Sequence, residues 1–331
     1  MKTSVLAAGL AAALSTSAIL AQPAPSPTAQ EPPRRPANGG NNKAAPGRVE
    51  TKPDIAYAAT DNPRQKLDLY LPQERTGGKP LPVVVFIHGG AWLQGSKDNG
   101  RGHLVPLVRT GEYAGVSLNY RLTGEAQWPA QIHDCKAAIR WIRGHAKEYG
   151  LDGGKIAVWG GSAGGHLASM LGTSGGVADL EGTLGRDTTE SSRVTCVVNF
   201  FGPQEFLSMV RQPSSMDRSK GDYPEAKLLG GTVQDKPEAA KAASPVTYAS
   251  ADDPPFLTAH GTMDRTVPFG QAEAIHAALR KAGAASILIP IEGAGHGFKS
   301  PELDKRIRAF LDRHLRGMET DVPDTPIPVG G

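Results

Sequence analysis

A chain of 331 residues, 39% hydrophobic and 21% charged, can bury one large core but is short for two full domains. Its 36 Lys and Arg against 33 Asp and Glu leave a formal net charge of only +3. The two signs are mixed along the chain, which excludes the basic stripe that neutralises phosphates, so no nucleic-acid partner is expected.

Residues 1–21 read as an export signal: Lys2 precedes an apolar stretch over 5–20, and small residues surround Ala18 and Ala21. That stretch falls short of the ~20 residues a spanning helix needs and runs into prolines. The expectation is a secreted or periplasmic protein with no stable membrane insertion. Residues 22–51 are dominated by Pro, Gly, Asn, Ala and Gln, as in Pro23-Ala24-Pro25-Ser26-Pro27. Such a segment buries too little to offset its ordering entropy and reads as a disordered linker. Residues 52–317 carry the periodic patterns of a folded domain. Residues 318–331, with Pro323, Pro326 and Pro328, read as a flexible tail.

Within the domain, β-rich runs fall at 54–58, 66–71, 81–87, 114–118, 155–159, 194–200, 256–260 and 287–291. Several are nearly unbroken apolar stretches, such as Val83-Val84-Val85-Phe86-Ile87, the pattern of strands covered on both faces. Between them Ile132, Cys135, Ile139 and Ile142 recur at spacings of three and four, predicting a helix over 129–149. Ile307, Phe310, Leu311 and Leu315 repeat the pattern after the start signal Ser300-Pro301-Glu302. Alternation of this kind implies an α/β chain: a mostly parallel, eight-stranded, doubly wound sheet with helices on both faces. The less regular segment 203–253 is expected to form a cap or flap near the site. Cys135 and Cys196 could pair in an oxidising compartment, but both sit in apolar periodic segments, which favours two unpaired core thiols.

The run over 155–159 leads into Gly160-Gly161-Ser162-Ala163-Gly164-Gly165-His166, a G-x-S-x-G between a strand and a small-residue helix. In that context the motif is a nucleophile elbow, with Ser162 on a turn so tight that glycines must flank it. A serine hydroxyl needs a base to take its proton and a third group to orient that base. The fold sets the order serine, acid, histidine, and both partners follow strands. Asp264 lies in Gly261-Thr262-Met263-Asp264, and His296 in Gly293-Ala294-Gly295-His296-Gly297. Asp252, Asp253 and Glu292 compete for the acid's place, but Asp264 follows its strand directly. The oxyanion needs backbone N–H donors, expected from Ala163 and from Gly89 and Gly90 in His88-Gly89-Gly90-Ala91-Trp92. Trp92, Trp128, Phe200 and Phe201 are candidates for lining the substrate pocket. Tyr120, Arg121 and Asp134 are candidates for a buried polar network that braces the site, and His166 for packing on the nucleophile helix. The remaining histidines show no metal-ligand spacing, so no metal is expected, and the chemistry needs no cofactor.

These stretches resemble the bacterial esterases related to hormone-sensitive lipase, and are more closely similar to the bacterial-type feruloyl and acetyl-xylan esterase group. The similarity runs over about 54–315 and includes Leu118-Asn119-Tyr120-Arg121-Leu122, the run from Gln131 to Ala138, and Phe201-Gly202-Pro203. It implies an α/β-hydrolase fold and Ser162, Asp264 and His296 as the triad of a serine esterase. Where the hormone-sensitive-lipase pattern has a third glycine this chain has Ala91, and Gly161 stands where that pattern has an acidic residue. Export joined to this resemblance points to ester groups on plant polysaccharide, acetyl first and feruloyl second. The alternatives are a general short-chain esterase on small soluble esters, or an inactive ligand-binding protein on the same fold.

Overall fold

The computed structural model describes residues 47–329, so the expected signal over 1–21 and most of the expected linker lie outside the described residues. The first half alternates β1 (Val49–Ala56), β2 (Lys66–Pro72), β3 (Leu81–Ile87), α1 (Arg101–Val108), β4 (Ala114–Leu118), α2 (Ala130–Gly144), α3 (Ala146–Tyr149) and β5 (Leu151–Gly161). There follow α4 (Ala163–Thr173), α5 (Ala178–Glu181), β6 (Cys196–Phe200), then α6 (Phe206–Met209), α7 (Pro224–Leu229) and α8 (Pro237–Ala242). The chain closes with β7 (Phe256–Gly261), α9 (Gly270–Ala282), β8 (Ser286–Glu292), α10 (Pro301–Arg316) and β9 (Ile327–Pro328).

The sheet order is β1-β2-β4-β3-β5-β6-β7-β8-β9. Every pairing from β4 to β9 is parallel, and β2 pairs antiparallel with both β1 and β4. This is an α/β-hydrolase fold. Alternation along the central strand divides the core: Val83, Val85 and Ile87 face one apolar cluster, and Val84 and Phe86 face the other. The first cluster is closed by α2, α4 and α9, the second by α1 and α10. Both faces are therefore covered, which is why the central strands carry unbroken apolar runs. Cys135 and Cys196 are free, buried thiols in different clusters, on opposite faces of the sheet. Burial pushes both thiols up, away from the reactive thiolate.

Two boundaries differ from expectation. The linker read through residue 51 ends earlier, because Val49 already begins β1 and pairs with Pro72 of β2. The segment read as a flexible tail is packed: Val322 and Ile327 are buried, and β9 adds a ninth strand beside β8. The Arg306 guanidinium holds it by donating to the Pro323 and Thr325 carbonyls, at 3.1 and 2.6 Å. Prolines suit this place because an edge strand needs a ladder partner on one side only. Among the described residues no helix is long and apolar enough to cross a membrane.

Candidate active site

Four loops leave the carboxyl ends of β3, β5, β7 and β8, and the predicted triad and oxyanion-hole residues stand on them, while Phe201 follows β6 and Trp128 precedes α2. Ser162 lies between β5 and α4 with φ 56° and ψ −122°, a conformation that side-chain-bearing residues rarely adopt. Close packing enforces it. A Cβ on Gly160 would lie 2.2 Å from the Gly164 carbonyl oxygen, and one on Gly164 would lie 2.0 Å from that of Ile87. Strand and helix meet at a distance only glycine permits.

Asp264 and His296 converge on this serine. His296 Nε2 lies 3.0 Å from Ser162 Oγ, and Nδ1 lies 2.7 Å from Asp264 Oδ2. An ionised carboxylate only accepts, so Nδ1 carries the proton and Nε2 is left to accept from the hydroxyl. Burial alone would push the Asp264 carboxyl up. Hydrogen bonds from His260 and His296, and from the Thr266 N–H, outweigh it and hold the group well below the usual carboxylate range. The other oxygen, Oδ1, accepts from the N–H groups of Thr266 and Val267, at 2.8 and 3.0 Å. The competing acids are engaged elsewhere: Asp252 pairs with Arg193, and Asp253 accepts from Ser250.

His260 is a partner that sequence reasoning missed, having placed it among scattered histidines. It is fully buried, with Nε2 2.8 Å from the Val267 carbonyl oxygen and 3.3 Å from Asp264 Oδ2. Its position at the end of β7, four residues before the acid, is the signal that could have found it.

The loop after β3 packs against the elbow. A Cβ on Gly89 would sit 2.7 Å from the Gly161 carbonyl oxygen and 3.4 Å from Ser162 Cβ. Gly90, Ala91 and Trp92 follow with φ of 111°, 57° and 57°. Such a strained run persists only where its surroundings over-determine it. Here the Tyr120 ring stacks on His88 at 4.3 Å, and its hydroxyl donates to the His88 carbonyl at 3.0 Å. The Arg64 guanidinium donates to the Gly95 carbonyl at 2.7 Å. Burial holds the His88 imidazole down to about 4, so it stays neutral, and its Nδ1 lies 2.7 Å from the Gly89 carbonyl oxygen. That bond fixes the plane of the Gly89–Gly90 peptide, whose N–H points opposite to its carbonyl. Ala163 opens α4, so its N–H has no intrahelical acceptor.

Tyr120 is itself anchored through the chain beside it. The Arg121 guanidinium and N–H both donate to the fully buried Asp134 carboxylate, as close as 2.8 Å, and Gln65 adds another bond at 2.8 Å. The anticipated polar network therefore reaches the glycine loop through Tyr120 and His88.

The cleft over Ser162 has a volume of about 760 Å3 and is walled by Gly89, Gly90, Phe201, His103 and His296 among others. Phe201 packs on the His296 ring at 4.7 Å. Trp92 and Trp128 do not line this cleft. Trp92 is 1% exposed and, with Trp128 and Phe206, surrounds the buried His166 ring. The two tryptophans pack in or against the core, where their area is best buried, and Phe201 alone of the three faces the cleft. His166 Nε2 lies 2.6 Å from the Ala243 carbonyl oxygen, tying α4 to the segment after β6. Among the described residues, none of 203–253 lines the cleft. That segment props the acid's loop instead, through Arg218 on the Thr266 carbonyl and Ser214 and Ser215 on that of Arg265.

A serine on the β5–α4 turn, met by an imidazole and a carboxylate from the next strand ends, marks the serine-nucleophile class of α/β-hydrolases. The chain belongs to the BD-FAE family, whose model matches residues 67–279. It is 33% identical to esterase LipC of Mycobacterium tuberculosis over 72% of its length, spanning 58% of that protein. Among solved structures, a truncated carbohydrate esterase from gut microbiota aligns over 81% of this chain and 96% of its own, at 31% identity and TM-score 0.73. The bifunctional GH43-CE of Bacteroides eggerthii aligns over 80% of this chain and 35% of its own, at 36% identity and TM-score 0.74.

Proposed function

We propose that the chain hydrolyses carboxylic esters through an acyl-enzyme on Ser162. The observation that carries this is the continuous hydrogen-bonded path from Ser162 Oγ through His296 to Asp264, at 3.0 and 2.7 Å, on three strand-end loops. His296 takes the hydroxyl proton as Ser162 attacks the ester carbonyl, and returns it to the departing alcohol. The N–H groups of Gly89, Gly90 and Ala163 receive the negative oxygen, aided by the amino end of α4. Water activated by His296 then releases the acid. Asp264 keeps the imidazole in the right tautomer and stabilises its cation. An active-site fluorophosphonate should label the protein at Ser162, with labelling lost in Ser162→Ala. Equal labelling of both proteins overturns the assignment, as does failure to turn over a short-chain nitrophenyl ester.

We further propose that the protein is exported and acts on ester groups of plant polysaccharide, acetyl before feruloyl. The apolar stretch after Lys2 supports export, and the carbohydrate esterases among its structural relatives support the substrate. Comparing acetate release from acetylated xylan with ferulate release from feruloylated arabinoxylan tests it. Release of neither, with fast turnover of small soluble esters, favours the short-chain esterase instead.

A further inference from the structure

Behind the acid stands a buried histidine that the proposed reaction leaves unused. His260 belongs to β7, a strand buried along its whole length, so its backbone is held from both sides. The turn that follows is laced to the His296 loop. The Thr262 N–H donates to the Ile291 carbonyl at 3.0 Å, and the Met263 N–H to that of Ala294 at 2.9 Å. A Cβ on Gly261 would lie 2.4 Å from the carbonyl oxygens of both Ala294 and Gly295, so the two loops meet backbone to backbone. His260 is a rigid post beside the two groups that these loops bring together.

The atoms it presents are specific. A carbonyl oxygen only accepts, so the 2.8 Å contact with Val267 puts the His260 proton on Nε2. The same N–H faces Asp264 Oδ2 at 3.3 Å, the oxygen that His296 Nδ1 meets at 2.7 Å. One carboxylate oxygen thus stands between two imidazole donors. The other nitrogen, Nδ1, is buried without a hydrogen-bond partner among the described residues. A bare buried acceptor costs free energy that an apolar ring of the same shape would avoid, so the place calls for the Nε2 contact rather than for bulk. Phe201, after β6, and Phe269, before α9, turn rings towards His260 at 6.4 and 5.8 Å. From 203–253 comes Arg218, paired with Glu225 and donating to the Thr266 carbonyl, while Arg265 on the turn itself is exposed.

We propose that His260 is a positioning residue of the reaction: by sharing Asp264 Oδ2 with His296, its N–H holds the carboxylate in place, weakens its grip on the imidazole and lowers the pH at which catalysis sets in. The inference rests on the ester-hydrolase reading, and adds behind the triad a side chain that never touches substrate. Charge gives the direction of the effect. With two donors, the carboxylate's charge is divided between them; with one removed, all of it acts on His296 and favours the protonated ring. A base that keeps its proton to higher pH begins to work later, so loss of His260 should move the acid limb of kcat/KM upward.

His260→Phe keeps the bulk of the ring and removes the N–H, whereas His260→Gln returns a donor to the place of Nε2. Turnover of a short-chain nitrophenyl ester is followed in wild type and both variants across about pH 5–9. In His260→Phe the acid limb of kcat/KM should rise by about 0.5 pH unit or more, with kcat on the plateau down about tenfold and KM within about twofold. His260→Gln should bring the limb back to within about 0.2 unit of wild type and recover most of kcat. His260→Asn, whose shorter amide cannot reach Oδ2, is read in the same way where His260→Phe does not fold, and should raise the limb likewise. A limb that stays at its wild-type position in these two variants overturns the proposal even if kcat falls, because a purely structural histidine costs rate or stability without moving the limb. A limb raised equally in His260→Gln overturns it too. Absence of turnover and of fluorophosphonate labelling in wild type removes the underlying reading instead.

Discussion

The elbow that carries Ser162 and the loop that carries His296 are both rich in glycine, yet they are held by opposite means. At the elbow three of the four glycines are walled in: a Cβ on Gly165 would lie 2.6 Å from Asn199 Oδ1, and those on Gly160 and Gly164 would press into backbone, while one on Gly161 would only touch the Phe201 ring at 3.5 Å. In the loop a Cβ on Gly293, Gly295 or Gly297 would meet nothing within 4 Å. The serine is fixed by atoms that cannot be moved apart, and the imidazole by its partners, Asp264 and Phe201. This division suits the proposed chemistry. A nucleophile must stay at one point, whereas a base passes a proton between two oxygens and needs slight freedom.

Removing the electronic anchor of the His296 loop should have the largest effect. Asp264→Asn leaves the shape but presents the wrong partner to Nδ1, so kcat should fall by about 10⁴ with the far-ultraviolet spectrum unchanged. A loss below tenfold would mean that ring packing alone positions the imidazole. Next in size is Gly164→Ala, which forces a methyl group against the Ile87 and His88 carbonyls. Urea unfolding should show a loss of about 2–3 kcal/mol, or no soluble protein. Gly295→Ala, its counterpart in the open loop, should stay within about 0.5 kcal/mol of wild type.

Acid separates the two regions more finely. Burial holds both His88 and His166, which pack around the elbow, down to about 4. The unfolded chain binds protons on these residues near pH 6.5, and the folded chain does not. Stability therefore falls as pH drops from about 6.5 towards 4, with a slope of up to about 1.4 kcal/mol per pH unit for each histidine. Asp264 has the depressed carboxylate's signature, so its contribution persists above about pH 4 and is lost only below that. Acid should loosen the elbow side first. Chemical denaturation across pH 4–7 measures the slope, and His166→Gln should flatten it by one histidine's share. An unchanged slope would rule out His166 as a source.

Features governed by local pattern were legible in the sequence. Unbroken apolar runs marked the strands, and the strand-turn-helix around Gly160 to His166 marked the elbow, because each depends on neighbours along the chain. Asp264 and His296 were legible because the fold sets their order and each follows its own strand. What required three dimensions was illegible. Trp92 and Trp128 carry the same chemistry whether they face substrate or pack on His166, and only the paths of the loops after β3 and β4 decide. His260 could not be joined to Asp264 until the turn after β7 brought them within 3.3 Å. The prolines at 323, 326 and 328 suggested disorder, since nothing local shows that Arg306 waits for the carbonyls between them.

That last clamp makes the two ends of the folded region mechanically unequal. β9 pairs with Ile291 and Glu292, the residues from which the His296 loop departs, and the Val329 N–H donates to the Glu292 carbonyl at 3.0 Å. β1 lies at the opposite edge of the sheet. Tethering the protein to a solid support through residues beyond 329 would load the strand that seats the imidazole. Tethering it ahead of Val49 would leave that strand slack, so the choice of anchoring end alone should tune the site.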